Sequence, residues 1–155
     1  MFSFLIITLG LCNNVFGQIT DYPTVHTKVG TIRGLPATDG DYNKFTGIPY
    51  AQVDAKNPFG LHIPEPPFQG VFDAFNDPVK CIQNGVGEMT FDCLQLNIFV
   101  PKNASSNNTV PVMMYIHGGG FDAGWSGDFG PKFIVKHDVI LINVNYRLGP
   151  YGFMC

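Results

Sequence analysis

The 155-residue chain has few charged side chains: 9 Lys and Arg, 12 Asp and Glu, and a formal net charge of −3. The basic residues occur singly, so they form no positive face of the kind that nucleic acid binding requires. No basic amphipathic helix that would bind a membrane surface is present in the sequence. We therefore expect neither nucleic acid nor a membrane surface as a partner.

Long apolar runs are also scarce. The clearest, Phe2–Leu11, lies within an uncharged segment that ends at Val15-Phe16-Gly17. It is shorter than the roughly 18 residues that a membrane span needs, although a membrane anchor is the alternative interpretation. We predict a signal peptide over residues 1–17, cleaved before Gln18, and hence a secreted mature chain of residues 18–155.

Only four residues are cysteine, and Cys12 lies within the predicted signal peptide. Cys81 and Cys93 flank a polar, glycine-containing stretch that suits a disulfide-closed surface loop in an oxidising compartment. A zinc site is the alternative, but no second Cys or His pair has ligand spacing, and we expect neither a metal nor a cofactor. Cys155 is an odd thiol at the last residue, which we interpret as a mark of truncation.

Helical patterns are rare, and the clearest covers Asp128–Lys136, with Pro131 near the first helical position. The proline-rich segment Ala51–Pro78 is predicted to lack regular structure. Period-two alternation and apolar runs predict extended segments. These are Thr24–Lys28 and Thr31–Arg33 (a hairpin), Tyr42–Pro49, Leu94–Val100, Val110–Ile116 and Val139–Val144. Because Val139–Val144 is apolar on both faces, it is predicted to be an interior strand, and we expect its covering helices beyond Cys155.

The most informative segment is His117-Gly118-Gly119-Gly120-Phe121, which follows an apolar run predicted to be a buried strand. Consecutive glycines leave the backbone N–H groups uncovered and permit backbone angles that other residues resist. Such N–H groups can hold the negative oxygen of a reaction intermediate. We predict that this glycine segment forms an oxyanion hole, with His117 and Gly118 shaping the loop.

Other chemical motifs are weaker. Gly124-Trp125-Ser126-Gly127-Asp128 lacks the final glycine of a nucleophile elbow, so Ser126 is not expected to be a nucleophile. Gly118-x-Gly120-x-x-Ala123 fits a dinucleotide-binding pattern only as an isolated match. Arg147 is expected to form a structural ion pair, and Trp125 and Phe121 either line an acyl pocket or pack beneath a loop. The remaining histidines are expected at the surface: His26, His62 and His137.

Two glycosylation acceptor triplets, beginning at Asn103 and Asn107, lie within the polar stretch Lys102–Thr109. Their clustering predicts a solvated loop with at least one occupied site.

Several segments together resemble, in order, the N-terminal portion of type-B carboxylesterases, the family of the esterases and cholinesterases. They are Val29–Gly34, Phe45–Ala51, Asp92–Asn97, His117–Phe121 and Asn145–Pro150. The resemblance implies a truncated α/β-hydrolase fold: an N-terminal hairpin, a proline-rich wrap and the first strands of a central sheet. It implies a small-molecule ester as substrate and Gly119 and Gly120 in the oxyanion hole. It carries over no residue of the family's Ser-Glu-His triad, so we expect this chain to be inactive alone.

The chain departs from the family pattern at Pro58 and Phe91, where the family usually has an Arg and a Glu that form an ion pair. No tryptophan lies between Cys81 and Cys93, so the aromatic face on which cholinesterases hold a quaternary ammonium is missing. Uncharged esters, of the general or the insect hormone and odorant type, fit better. A catalytically dead adhesion relative of the neuroligin type is the alternative. If the short chain is itself a stable product, exposed strands predict low solubility.

Overall fold

The computed structural model describes residues 22–85 and 87–154, so the predicted signal peptide, Cys12 and Cys155 lie outside it. Short strands and two single-turn helices make up its regular structure. The strands are β1 (Thr24–Thr27), β2 (Gly30–Arg33), β3 (Leu35–Pro36), β4 (Tyr42–Pro49), β5 (Ala51–Gln52), β6 (Ile63–Pro64), β7 (Val71–Asp73), β8 (Lys80–Cys81), β9 (Met89–Thr90), β10 (Gln95–Pro101), β11 (Val112–Ile116) and β12 (Ile140–Val144). The helices are α1 (Lys132–Val135) and α2 (Gly149–Phe153).

The main sheet has the strand order β11-β12-β10-β4-β3. Strand β12 pairs in parallel with β11 and antiparallel with β10, which confirms the prediction that it is an interior strand. Parallel pairing brings the carboxyl ends of β11 and β12 together, with Ile116 opposite Val144. The glycine segment after β11 and the Asn145–Pro150 segment after β12 therefore begin at the same edge of the sheet.

A second sheet, β1-β2-β7, contains the predicted hairpin, in which Thr27 pairs with Gly30. Strand β7 pairs in parallel with β2, so the prediction that Ala51–Pro78 lacks regular structure is wrong at three short strands, β5, β6 and β7. Prolines exclude long ladders but permit short pairings of two or three residues.

The core lies on both faces of β4 and β10. On one side Phe45 and Ile48 pack with Ile32 of the second sheet and with Ala74, which follows β7. On the other side Tyr42, Phe99 and Leu141 pack beneath Val135, the one buried residue of α1. Helix α1 is a single turn preceded by Pro131 at the N-cap, shorter than the predicted nine-residue segment.

Strand β11 is not buried, contrary to the sequence-based prediction. Four of its residues are 52% to 65% exposed: Val112, Met113, Met114 and Ile116. Among the described residues only β12 pairs with it, and α1 packs on β10 and β12 instead. Apolar composition predicts the strand, whereas its cover depends on elements elsewhere in the sequence.

The structure joins Cys81 to Cys93 by a disulfide, the pairing expected from the sequence. Both cysteines are buried and pack with Ala51 and Leu94. Neither described helix is long and apolar enough to cross a membrane.

Candidate active site

The glycine segment leaves the end of β11 as a tight turn. Gly119 and Gly120 have φ values of 115° and 62°, and Phe121, with φ 63°, shares this left-handed region. The N–H groups of Asp122 and Ala123 both donate to the carbonyl oxygen of Gly119, which closes the turn. A Cβ on Gly119 would overlap the carbonyl oxygen of Ala123, so only glycine fits there.

The glycines of this turn lie at the protein surface. Gly118, Gly119 and Gly120 are exposed, and a Cβ on Gly118 or Gly120 would have no neighbour within 4 Å. Within residues 22–85 and 87–154 no acceptor receives the N–H of Gly119 or Gly120. The turn can therefore offer two adjacent donors to a ligand oxygen.

His117 anchors the start of the turn. Its ring is 3% exposed and stacks on the Tyr146 ring at a centroid distance of 4.3 Å. Its Nδ1 donates to the carbonyl oxygen of Gly118 over 2.9 Å, and its Nε2 is buried without a partner among the described residues. The ring thus contacts the glycine backbone and is turned away from solvent.

The segment after β12 supports the same turn from the side. The Tyr146 hydroxyl donates to the carbonyl oxygen of His117 over 2.6 Å, and burial raises the pKa of this phenol, so it stays protonated. The Gly149 N–H donates to the carbonyl oxygen of Phe121 over 2.7 Å. Both ends of the glycine turn are therefore held by residues that follow β12.

Asn145 connects four separate parts of the chain and is completely buried. Its Nδ2 donates to the carbonyl oxygens of Val79 (2.6 Å) and Cys93 (3.1 Å), and its Oδ1 accepts from the Ser126 N–H (2.7 Å). Its own carbonyl oxygen accepts from the Tyr50 hydroxyl at 2.7 Å. Because every polar atom of the side chain has a partner, this buried amide fixes the relative positions of the segments around it.

Ser126 belongs to this buried polar network. Asn97 donates to its Oγ over 3.2 Å, and Asn143 donates to its carbonyl oxygen over 3.0 Å. Ser126 is 1% exposed, so its hydroxyl does not face a substrate. Asn97 and Asn143 lie on the buried faces of β10 and β12, where hydrophobic alternation gave no reason to expect an amide.

Residues 21–155 match the model of the Carboxylesterase family. The chain belongs to the carboxylesterase family. It is 40% identical over 157 residues to juvenile hormone esterase of Tribolium castaneum, covering 91% of this chain and 26% of that protein. It is 35% identical to esterase B1 of Culex pipiens, covering 85% of this chain and 26% of the relative.

Among solved structures, the chain is similar to juvenile hormone esterase from Manduca sexta, with OTFP covalently attached. The TM-score is 0.78 at 36% identity, over 87% of this chain and 28% of that one. The described residues of this carboxylesterase-family chain thus form part of the α/β-hydrolase fold. The chain spans about a quarter of the length of the curated relatives that it matches.

Within residues 22–85 and 87–154, Arg147 of this carboxylesterase-family chain has no acidic partner for the predicted ion pair. Its guanidinium donates to the carbonyl oxygens of Pro58 (3.1 Å) and Gly60 (2.7 Å). Phe91, at one of the two positions where the chain departs from the family's ion pair, packs on the Tyr151 ring at a centroid distance of 5.1 Å, and Phe59, which follows Pro58, packs on the same ring at 5.2 Å. Phe91 therefore takes part in aromatic packing, and the Arg147 side chain holds the proline-rich loop by hydrogen bonds to the loop's backbone carbonyls.

Trp125 does not line a pocket beside the glycines. It lies against two clefts of about 600 and 630 Å³, neither of which Gly118–Gly120 lines, and Lys80 Nζ is 5.2 Å from its ring centroid. Phe121 is 61% exposed beside the glycine turn and contacts the Phe153 ring at 4.7 Å. Of the two aromatic residues, only Phe121 is next to the candidate oxyanion donors.

The remaining predicted site residues lie away from the turn. His26, His62 and His137 are exposed, as expected. Asn103 and Asn107 lie in an exposed loop between β10 and β11, and the Asn103 side chain donates to Asp138 over 2.8 Å. No group of three or more His, Cys, Asp or Glu residues in the described ranges is placed to hold a metal ion.

Proposed function

We propose that this chain supplies the oxyanion-binding half of the active site of a secreted carboxylic ester hydrolase. One observation carries the proposal. The N–H groups of the exposed residues Gly119 and Gly120 lie in a turn at the carboxyl end of a parallel strand, with no acceptor among the described residues. That edge of an α/β sheet is where ligands bind in such folds.

In the proposed reaction a serine hydroxyl attacks the ester carbonyl while a histidine takes the serine proton. The carbonyl oxygen becomes negative as the tetrahedral intermediate forms, and the N–H groups of Gly119 and Gly120 donate to it. Losing one such donor costs about 3 kcal/mol of transition-state stabilisation in a serine protease. The sequence contains no Gly-x-Ser-x-Gly segment, so the chain alone is proposed to be inactive.

The proposed substrate is a small, uncharged ester. No aromatic residue other than Phe91 lies between Cys81 and Cys93, and Phe91 packs on Tyr151. The chain therefore offers no aromatic face in that loop for a choline group. The similarity to proteins named juvenile hormone esterase and esterase B1 supports the same substrate class.

Secretion is proposed from the signal peptide at residues 1–17, the Cys81–Cys93 disulfide and the exposed acceptor residues Asn103 and Asn107. Peptide mapping of the secreted protein tests this part. The secreted protein should begin at Gln18 and should carry a releasable glycan on at least one of the two asparagines. A protein retained in the cytosol with free Cys81 would contradict it.

The function is tested by sequencing the transcript past the codon for Cys155 and by assaying the chain itself. A downstream Gly-x-Ser-x-Gly segment supports the hydrolase, whereas a substituted serine supports the neuroligin-type adhesion alternative. The chain alone should not hydrolyse p-nitrophenyl acetate above the buffer rate. Turnover that an organophosphate inhibits would show that the nucleophile is already present.

A further inference from the structure

The side chain of Gln83, within the disulfide-closed loop, forms hydrogen bonds with the backbone of Gly124, where the chain leaves the glycine turn. Its Oε1 accepts from the Gly124 N–H over 2.8 Å, and its Nε2 donates to the Gly124 carbonyl oxygen over 3.0 Å. The same Nε2 donates to the carbonyl oxygen of Cys81 over 3.0 Å. One amide therefore satisfies both backbone groups of Gly124 and ties them to the disulfide.

Gly124 is pressed against the beginning of the turn. A Cβ on Gly124, where φ is 118°, would lie 2.5 Å from both the Gly118 carbonyl oxygen and His117 Nδ1. The neighbouring carbonyl of Ala123 lies so close to Gly119 that a Cβ there would overlap it. A shift of Gly124 would therefore move the atoms that contact Gly118 and Gly119, because the two sides of the turn are in direct contact.

A second contact joins the same two loops. The Asn84 side chain donates to both carboxylate oxygens of Asp122, at 3.0 Å each. This pair is exposed, so we expect its contribution to be smaller than that of the part-buried Gln83 contacts. The two contacts together fix both the position and the direction of the segment that returns from the glycines.

We propose that Gln83 is a positioning residue, which holds Gly119 and Gly120 in the orientation that binds the oxyanion. This rests on the proposed function for the meaning of that orientation. Three of the backbone angles in the turn lie in the left-handed region, at Gly119, Gly120 and Phe121. A non-glycine residue there costs about 1–3 kcal/mol, so Phe121 needs support from outside the turn. Gln83 acts through Gly124 and touches neither donor.

The test is hydrogen exchange of the secreted chain in dilute solution, resolved by residue with electron-transfer fragmentation. The informative amides are Ala123, which donates to Gly119, and Gly149, which donates to Phe121, since neither contacts Gln83. In Gln83→Ala and Gln83→Met their exchange should rise at least about tenfold, because two bonds to Gly124 are lost. Exchange in β10 and β12 should stay within about twofold of the parent chain.

The matched control is Gln69→Ala, because Gln69 is exposed and its side chain has no partner among the described residues. It should leave exchange at Ala123 and Gly149 unchanged. Gln83→Met keeps the length of the side chain and removes its polar contacts, so it separates hydrogen bonding from packing. Unchanged exchange at Ala123 and Gly149 in either Gln83 variant overturns the proposal, as does an equal rise throughout β10 and β12.

The parent chain gives an independent result if both variants fail to fold. Its Gly124 amide should be protected to within about tenfold of the Ala123 amide, because Gln83 accepts it. A freely exchanging Gly124 amide would overturn the proposal. The measurement follows the backbone and not turnover, so absence of esterase activity would count against the proposed function alone.

Discussion

Strand β11 and the turn that follows it contrast sharply. Beyond the carboxyl end of β11, His117 is 3% exposed and the turn that it begins is held by hydrogen bonds from Tyr146 and Gly149. Within the strand, Met113 and Met114 are 52% and 60% exposed and belong to an uncovered edge. The turn proposed to bind the oxyanion is held by contacts within the chain, whereas no element among the described residues packs over the adjacent apolar strand β11.

The contrast shows that different interactions organise the two regions. The glycine turn depends on a few polar contacts, each between atoms that hydrophobic patterning does not register. The strand depends on burial of apolar surface, which requires a second layer. The turn proposed to bind the oxyanion is therefore formed in a segment whose hydrophobic layer is incomplete among the described residues.

The largest effect should come from breaking the covered side of the sheet. Met113 and Leu141 are direct partners in the β11–β12 pairing, but Leu141 is 3% exposed. Leu141→Lys buries a charge and should lower the free energy of unfolding by more than about 4 kcal/mol. Met113→Lys should change it by less than about 0.5 kcal/mol and raise the soluble fraction.

Urea unfolding followed by the fluorescence of Trp125, the single tryptophan, measures both variants. A loss in Met113→Lys as large as that in Leu141→Lys would show that β11 is covered after all.

Removing the buried amide of Asn145 should come next. Asn145→Ala leaves the carbonyl oxygens of Val79 and Cys93 and the Ser126 N–H without partners. The expected loss is about 3–4 kcal/mol, because each unsatisfied buried group costs roughly 1–3 kcal/mol and relaxation recovers part of it. Asn76→Ala is the control, since Asn76 is exposed and its side chain makes no described hydrogen bond. Equal urea midpoints for the two variants would contradict the role of Asn145.

A methyl group in the glycine turn should have a smaller and more local effect. Gly119→Ala places a Cβ against the Ala123 carbonyl at a φ of 115° and should cost about 2–3 kcal/mol. Gly118→Ala enters open space at an ordinary φ and should cost less than about 1 kcal/mol. Hydrogen exchange at Asp122 and Ala123 should rise in the first variant only. If both variants exchange alike, the turn is not the rigid part of the site.

The smallest effect concerns the surface ion pair of Arg33 and Asp73, which joins β2 to β7 at 2.6 Å. The hydrogen bond from Arg33 lowers the pKa of Asp73 below its usual value. The contribution of the ion pair to the free energy of unfolding is therefore fully present above the unfolded-state pKa of Asp73, and it is lost as pH falls through the folded-state pKa. Asp73→Asn should lower the urea midpoint slightly at neutral pH and not at all once the carboxyl is protonated. A pH-independent difference would contradict this assignment.

Sequence alone predicted the long strands to within about two residues at each end, as expected where periodicity is clear. The hairpin, Tyr42–Pro49 and the interior strand β12 followed from alternation and from two-sided apolar character. The sequence did not predict the exposure of β11, because a strand's own residues do not reveal which other elements cover the strand. The run of consecutive glycines and the family resemblance, and not periodicity, pointed to the proposed function of the glycines.

The polar supports of the site could not be predicted from the sequence. Asn145 reaches acceptors 66 and 52 positions away, and Gln83 reaches Gly124 across 41 positions. Such contacts leave no periodic signal in the sequence, since a single amide can form these hydrogen bonds at any sequence separation. The same reason explains why the contacts of Arg147 were not predicted, since its acceptors among the described residues are backbone carbonyls.

The most direct test of the account replaces the equivalent segment of the Manduca sexta juvenile hormone esterase with residues 112–149 of this chain and measures kcat and KM on p-nitrophenyl acetate. If Gly119 and Gly120 hold the oxyanion, the chimera should keep kcat within about tenfold of the parent enzyme. Gly119→Ala within the chimera should then lower kcat by about 100-fold or more with little change in KM. A chimera that melts at the parent's temperature but is inactive, or a Gly119→Ala variant with unchanged kcat, would contradict the central claim.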